Sequence, residues 1–298
     1  MEQPGGDELP SRPPLQDRSP ATTRASRPAD RGLGDRCFLD QHGAVPATRS
    51  DAGVFIVFAL LGFAAGEIVA LVFTAVAADL AGQGNRLQAI ARMSAPPAWY
   101  VGASLVGLWV GFAAGPWLAS MARGTRHLAA DLGIRFRAID VAGIPIGFGG
   151  QLVVTALYTP FIRHLHNFNA PTTKLTGGAH GFAFAVIAIL TVIGAPFFEE
   201  LFFRGLVLRG LLRLFAPSDS ARGAARSLAV VAAVAVDGTI FGLAHAELVQ
   251  LAGLALFGVM LATVSYRTGR LGMNMVAHAS FNLVAVVAIV ASRGGVIF

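Results

Sequence analysis

The stretch Ala195-Pro-Phe-Phe-Glu-Glu-Leu-Phe-Phe-Arg204 places two adjacent carboxylates, Glu199 and Glu200, inside a long apolar run. An unpaired charge in membrane hydrocarbon is costly, so these acids need partners or a function. On a helix, Arg204 lies four residues after Glu200 on the same face and can pair with it. Glu199 lies about 100° further round that helix and has no cation nearby in the sequence. We therefore predict that Glu199 is the reactive carboxylate and that Glu200 pairs with Arg204.

The composition of the chain is that of a membrane protein. Of its 298 residues, 54% are hydrophobic and only 13% are charged, and the mean hydropathy is +0.62, which is more apolar surface than a soluble core can hide. The net charge of +6 comes almost wholly from arginines clustered between apolar runs, a pattern typical of membrane topology. Cys37 is the only cysteine, which excludes internal disulfides and cysteine-rich zinc sites. We predict an all-α, polytopic transmembrane helical bundle in a lipid bilayer, with no nucleic-acid partner.

Seven apolar runs, within a range of six to eight, are long enough to cross a bilayer as helices. They cover about 52–78, 99–122, 140–161, 181–215, 223–245, 249–266 and 271–291. We predict a disordered tail at 1–50, N-terminal transmembrane helices at 51–178 and a transmembrane core at 179–292. Arginines are enriched after the second, fourth and sixth spans. This bias predicts a multi-pass protein of the cell membrane with a cytoplasmic N-terminus.

Other features of the apolar part favour structural roles. The first two spans carry glycines at four-residue spacing, which lets helix backbones approach closely. Glu67, in the first span, is a candidate polar group of the interior, where it would pair with an arginine or a backbone group. His164, His166 and His180 lie in or beside one loop without an accompanying acid. Solvated loop histidines are commoner than a surface metal site of this kind.

Two further motifs bring reactive side chains to the later spans. Phe241 precedes His245 by four residues at the end of the fifth span, and His278 precedes Asn282 by four residues in the seventh. A four-residue spacing places both members of a pair on one helix face. Counted along the helices at about 1.5 Å per residue, Glu199, His245 and His278 can meet at one level. We therefore expect a conical catalytic chamber open to the cytosol.

The motifs resemble those of a known family when they are taken in order on successive apolar helices. Glu199-Glu200-x-x-x-Arg204, Phe241-x-x-x-His245 and His278-x-x-x-Asn282 look like the three motifs of the CAAX prenyl protease 2 family, also called the CPBP or Abi family of intramembrane proteases. The resemblance covers about residues 180–290 and fills every motif position. It implies catalytic roles for Glu199, His245, His278 and Asn282, and supporting roles for Glu200, Arg204 and Phe241.

The resemblance implies hydrolysis of a peptide bond near a membrane anchor, in a membrane-associated protein or peptide. Two mechanisms are open. In one, Glu199, His245 and His278 bind a zinc ion whose water attacks the peptide carbonyl. In the other, which we favour because asparagine is a poor zinc ligand, Glu199 and His245 activate water directly. His278 and Asn282 then donate hydrogen bonds to the developing oxyanion.

Other functions are compatible with buried acids and histidines. A proton-coupled transporter would place such groups in the membrane, but it predicts an internal repeat that the sequence does not show. A non-catalytic scaffold or bacteriocin-immunity-type protein would use the same helices to bind a partner. A polar network that only ties helices together is the simplest alternative. Asp237, one turn before Phe241, departs from the family pattern, and we expect it to bond to a neighbouring helix. The abundance of alanine, glycine and arginine suggests a bacterial source.

Overall fold

Seven helices among the described residues are long and apolar enough to cross a membrane, which confirms the predicted helical bundle. The computed structural model describes Met1 and residues 49–161, 170–216 and 223–292, and these ranges contain no strand. Most of the predicted N-terminal tail, with His164 and His166, lies outside the described residues. The long helices are α1 Arg49–Leu80, α2 Ala98–Arg123, α3 Gly143–Tyr158, α4 Gly181–Leu214, α5 Gly223–Ala244, α6 Leu251–Thr268 and α7 Gly272–Ser292.

Short helices and turns connect these spans. The helix Leu87–Ala91 lies between α1 and α2, Leu128–Leu132 lies between α2 and α3, and Ala170–Thr176 precedes α4. A 3-10 turn, Ala138–Ala142, leads directly into α3. The chain turns from α6 into α7 at Gly269, whose φ of 70° is a left-handed conformation that glycine adopts without a steric penalty. The described residues from 49 onward belong to one compact unit.

The helices α1 and α2 pack with their backbones in close approach. A Cβ added at Gly111 of α2 would lie 2.5 Å from the Cα of Gly66 in α1, which is too close for any side chain. This contact confirms that the glycines of the first two spans pack helices. The prediction for Glu67 was wrong, because its side chain is exposed on the outer surface of α1 instead of in the interior.

Two π-helical segments interrupt α4, the helix that carries the glutamate pair. They cover Leu190–Gly194 and Glu200–Val207, and one α-helical turn, Ala195–Glu199, separates them. Such segments close hydrogen bonds from residue i to i+5 and occur frequently at functional sites. Pro196 lies in the first turn of the intervening segment. Glu199 and Glu200 therefore lie at the junction of an α-helical turn and a π-helical segment.

Aromatic side chains fill the space between α2 and α4. Phe112 stacks on Phe202 with 4.3 Å between ring centroids, and Trp109 stacks on Phe198 at 5.0 Å. Phe112, Phe202 and Trp109 are all buried. Offset stacking of this kind adds to the free energy gained by burying the rings. The first two spans are thus part of the core that supports the glutamate pair.

The turn between α6 and α7 marks one end of the bundle. The backbone N–H of Leu271 donates to the carbonyl of Gly133 at 2.8 Å, and Arg270 forms an ion pair with Asp140 at 2.6 Å. We call this end, with residues 123–142, 209–216 and 267–271, the basic end. Arg213 belongs to it and places its guanidinium 3.9 Å from the ring centroid of Phe55, near the start of α1.

The other end of the bundle contains the remaining connections between helices, which alternate along the chain with those of the basic end. Pro97 forms an isolated parallel bridge with Gly178. The hydroxyl of Tyr158, at the end of α3, accepts a hydrogen bond of 2.9 Å from the backbone N–H of Gly253 at the start of α6. We call this end, with residues 81–97, 170–180 and 245–250, the distal end. Each spanning helix therefore runs between the basic end and the distal end.

Candidate active site

Glu200 has all the hydrogen-bond partners that a buried carboxylate needs. Its Oε1 accepts from Arg204 Nη1 at 3.1 Å and from His278 Nδ1 at 2.9 Å, and its Oε2 accepts from Asn274 Nδ2 at 3.1 Å. Its side chain is fully buried. The predicted pair of Glu200 with Arg204 is confirmed. Because every oxygen is engaged, Glu200 is suited to hold neighbouring side chains in place rather than to react.

Arg204 is the buried cation around which three helices meet. Its Nη2 donates to the carbonyl of Gly258 in α6 at 2.9 Å, and its Nε lies 3.5 Å from Oδ2 of Asp237 in α5. The guanidinium also lies 4.5 Å from the ring centroid of Phe241. Asp237 therefore forms an ion pair with the neighbouring helix α4, in line with the expected structural contact, although neither of its oxygens has a hydrogen-bond partner among the described residues. Two buried carboxylates and one guanidinium therefore form a single network, in which Glu200 and Asp237 share Arg204.

Glu199 differs from its neighbour because one of its carboxylate oxygens has no hydrogen-bond partner. Its Oε2 is buried and unpartnered among the described residues, and it lies 3.8 Å from Nε2 of His278. That distance is too long for a hydrogen bond but short enough for a bridging atom. Buried carboxylate oxygens are normally satisfied, so an unsatisfied one beside an imidazole is a candidate for a reactive position, and the reactive role of Glu199 stays a prediction.

His245 lies in the turn that follows α5. Its Nδ1 is 2.8 Å from the backbone carbonyl of Phe241, and because a carbonyl can only accept, Nδ1 carries the hydrogen and Nε2 keeps a free lone pair. Burial lowers the pKa of the His245 imidazole below its usual range, against the opposing effect of the Phe241 carbonyl. The next residue, Ala246, has a φ of 53°, a left-handed conformation that costs a residue with a side chain about 1–2 kcal/mol.

Asn282 joins the other predicted residues at one wall of the site. Its Nδ2 donates to the backbone carbonyl of Thr191 at 2.8 Å, and Thr191 lies in the first π-helical segment of α4. An amide nitrogen has two hydrogens, so the second one is available for another acceptor. Asn282 thus contacts α4 at Thr191, which precedes Glu199 in the sequence, and His278 contacts α4 at Glu200, which follows Glu199.

One cavity of about 450 Å³ brings the predicted residues together. Its volume is within the range of small-molecule and peptide-binding pockets. Its walls are mostly apolar and come from α2, α4, α5, α6 and α7. The predicted site residues that line it are Glu199, Phe241, His245, His278 and Asn282. Their proximity supports a shared site, while the individual catalytic roles stay predictions.

The cavity opens toward the distal end of the bundle. Its outer lining includes Pro96, Lys174, Glu247 and Gln250, which belong to the connections at that end. The helix α1 begins at the basic end, where Phe55 contacts Arg213. A cytoplasmic N-terminus and a chamber open to the cytosol therefore cannot both hold, although the sequence predicted both.

The described ranges contain no group of three or more His, Cys, Asp or Glu side chains placed to hold a metal ion. The zinc ion that Glu199, His245 and His278 would bind stays a prediction. His180 precedes the first residue of α4 at the distal end and is exposed.

Sequence reasoning missed Asn274, which donates to Glu200 and also to the carbonyl of Leu261 at 2.7 Å. The signal was present, because Asn274, His278 and Asn282 recur every four residues in α7. Thr191 was also missed, and nothing in the sequence near it indicates that its carbonyl would accept from Asn282.

The fold and the pocket define a multi-pass helical membrane protein with a buried carboxylate–histidine site. Residues 181–284 match the family model described as Type II CAAX prenyl endopeptidase Rce1-like. The resemblance predicted from the three motifs is thereby confirmed. The match supports a CAAX-type intramembrane endopeptidase in general, with a membrane-embedded protein as the class of substrate. Comparisons with curated proteins and with solved structures found no significant match.

Proposed function

We propose that this chain hydrolyses a peptide bond close to the membrane anchor of a protein or peptide substrate, with Glu199 and His245 activating the attacking water. One observation carries the proposal. Of the two adjacent glutamates, Glu200 is saturated by Arg204, Asn274 and His278, whereas Glu199 keeps an unpartnered oxygen in a cavity that His245 also lines. A polar network with only a structural role would gain from satisfying both acids.

The attack step uses the two groups as bases. A water molecule held between the Glu199 carboxylate and the free Nε2 of His245 loses a proton to one of them as its oxygen bonds to the carbonyl carbon. The carbonyl oxygen becomes an oxyanion. The second hydrogen of the Asn282 amide is available to donate to it, and Nε2 of His278 is a further donor when the ring carries both protons.

The collapse step returns the proton. The oxyanion reforms the carbonyl, the carbon–nitrogen bond breaks, and the proton taken from water is delivered to the leaving amine. The products are a carboxylate on one fragment and an amine on the other. Glu200, held by Arg204 and Asn274, fixes the Nδ1 side of His278 and so directs its Nε2 toward Glu199. Glu200 and Arg204 are positioning residues in this scheme.

The test compares Glu199→Gln with Glu67→Gln in the purified full chain, reconstituted in lipid vesicles with peptides that carry a membrane anchor. The glutamine at 199 keeps the size of the side chain but cannot take a proton, so we expect cleavage to fall by about 10²–10⁴-fold. Glu67 is also an acid in a spanning helix but lies on the outer surface, so its variant is expected to cleave at the wild-type rate. Size-exclusion profiles of both variants check that they fold.

Two outcomes would contradict the proposal in different ways. Wild-type rates in Glu199→Gln would remove Glu199 from the mechanism and favour a scaffold that binds a partner. Loss of wild-type cleavage after treatment with a chelator, restored by added zinc, would replace direct activation by the zinc mechanism. We expect the cleavage rate to survive chelation.

A further inference from the structure

We propose that the catalytic pocket opens on the extracytoplasmic side of the membrane, so that its substrates are polypeptide segments exposed on that side next to their anchor. The substrate class rests on the proposed function. The orientation of the pocket rests on the placement of charges and contacts, and it holds whatever reaction the pocket catalyses.

The residues that line the pocket show its direction within the bundle. Lys174 lies in the short helix before α4, and Glu247 and Gln250 lie in the connection between α5 and α6. All three line the cavity and belong to the distal end. In α7 the lining runs from His278 to Ile289, toward the C-terminal end of that helix, which points away from the turn at the basic end.

The depth of the reactive groups follows from counting residues along their helices. Glu199 lies 18 residues after Gly181, the first residue of α4 at the distal end, a distance of roughly 27 Å at 1.5 Å per residue. His245 lies in the turn after α5 at the same end. The buried ring of Phe241 contacts both histidines, with centroid distances of 4.8 Å to His245 and 5.7 Å to His278. The cavity therefore runs from the middle of the bundle to the distal end.

Basic residues are distributed unequally between the two ends of the bundle. Among the described residues, segments 123–137, 209–216, 223–226 and 267–270 contain four, two, one and two arginines. At the other end, the described segments 81–97, 170–180 and 245–250 contain two, one and no lysines or arginines. Cytoplasmic connections of membrane proteins carry such an excess of basic residues. The basic end is therefore the cytoplasmic end.

The exposed arginines show that this bias is a property of the surface as well as of the sequence. Arg209, Arg213 and Arg270 have roles within the fold or are partly buried. Six exposed arginines lie among the described residues at the basic end and at the adjoining start of α5: Arg123, Arg126, Arg135, Arg137, Arg226 and Arg267. Basic residues near an anionic leaflet are attracted to its headgroups. The described part of the distal end has three exposed basic residues, Arg86, Arg92 and Lys174, and the acid Glu247 at the pocket.

This orientation determines which substrates can reach Glu199. A lipidated tail in the cytoplasm would meet the basic end, none of whose described residues lines the pocket. A polypeptide that has crossed the membrane, or the outer flank of a transmembrane helix, would meet the distal end directly. The mostly apolar lining suits apolar side chains of an extended segment, and Lys174 and Glu247 at the mouth offer one charge of each sign.

The orientation is tested by labelling single cysteines in the full chain. The native cysteine is first removed as Cys37→Ser. One new cysteine is then placed at the distal end as Asn85→Cys and, in a separate variant, one at the basic end as Ala129→Cys. Both positions are exposed and outside the pocket. A maleimide that cannot cross membranes is added to intact cells, and to permeabilised cells as the control that both cysteines react.

We expect Asn85→Cys to be labelled in intact cells and Ala129→Cys to be labelled only after permeabilisation. The reverse pattern, or equal labelling of both variants in intact cells, would overturn the inference.

A second arm separates this inference from the proposed function. Anchored peptide is supplied to the outside of right-side-out vesicles and of inverted vesicles, and cleavage is expected only in the first. Cleavage confined to inverted vesicles would overturn the inference. Absence of cleavage in both would refute proteolysis of that peptide class, while the labelling pattern would still decide the orientation of the pocket.

Discussion

Glu199 and Glu200 are neighbours in the chain but have different chemical environments. Glu200 is locked by three donors from α4 and α7, and Glu199 faces a cavity with an unpartnered oxygen. The difference comes from the direction in which each side chain points and not from the residue type, since the side chains of consecutive residues on a helix point to different sides. One acid can therefore orient His278 while the other stays free to accept a proton from water.

His245 should give the activity an acid limb at unusually low pH. Burial lowers the pKa of its imidazole, and Glu247 is among the groups that raise it. A ring that acts as a base must be neutral, so protonation of His245 should reduce activity only below about pH 6.5, the ordinary value for histidine, as the pH falls through the lowered pKa. The Glu247→Gln variant removes a carboxylate that favours the protonated ring, so its acid limb should move to still lower pH.

The measurement is kcat/KM against pH for the wild type and for Glu247→Gln. Because Glu199 must also be ionised to act as a base, the comparison between the two proteins is decisive: a shift of the acid limb to higher pH in Glu247→Gln would contradict the role of His245. The free energy of unfolding should depend on pH with the same sign. The folded protein binds a proton at His245 less readily than the unfolded chain does, so this contribution is intact above about pH 6.5 and is lost as the pH falls through the lowered pKa.

At the scale of elements, the contact between α1 and α2 depends on glycine. We expect Gly111→Ala to lower the free energy of unfolding by about 1–3 kcal/mol, since its Cβ would overlap the backbone of α1. The matched control is Gly149→Ala in α3, where a Cβ meets nothing within 4 Å. That change should stabilise the helix by about 0.5–1 kcal/mol.

Thermal unfolding of both variants in detergent gives the comparison. Equal midpoints for Gly111→Ala and Gly149→Ala would contradict the close packing of α1 on α2.

The sequence predicted the spanning helices to within a few residues, because the thickness of the hydrocarbon layer sets the length of an apolar run. It also predicted the pair of Glu200 with Arg204, because a spacing of four residues is a local property of a helix. The π-helical segments of α4 were not predictable, since Leu190–Val207 contains ordinary apolar residues and nothing local distinguishes a π turn from an α turn. The contact between Asn282 and Thr191 depends on one of these segments and was missed for the same reason.

At the scale of the whole molecule, the depth of each reactive side chain was predictable from the sequence, whereas the end of the bundle at which the pocket opens was not. The depth of a side chain follows from counting residues along one helix. The position of the pocket opening depends instead on which connections between helices leave a gap at the end of the bundle. The first two spans show the same limit, because their sequence carries no motif of the family. Even so, Tyr100 and Ser104 of α2 line the cavity beside Glu199, and Phe112 stacks on Phe202 within the family segment.

The family segment should therefore not fold without the first three spans. A chain of residues 179–298 would expose the face of α4 that α1 and α2 cover, including the buried Phe202 and Leu206, and it would leave Arg213 without the ring of Phe55. Each large apolar side chain removed from its buried site forfeits about 1.5–3 kcal/mol, which is a large part of the stability of a typical domain. We expect residues 179–298 made alone to aggregate in detergent, and co-expression with residues 1–178 to restore both a single size-exclusion peak and cleavage. A monodisperse, active 179–298 fragment would show instead that the pocket needs no wall from α2.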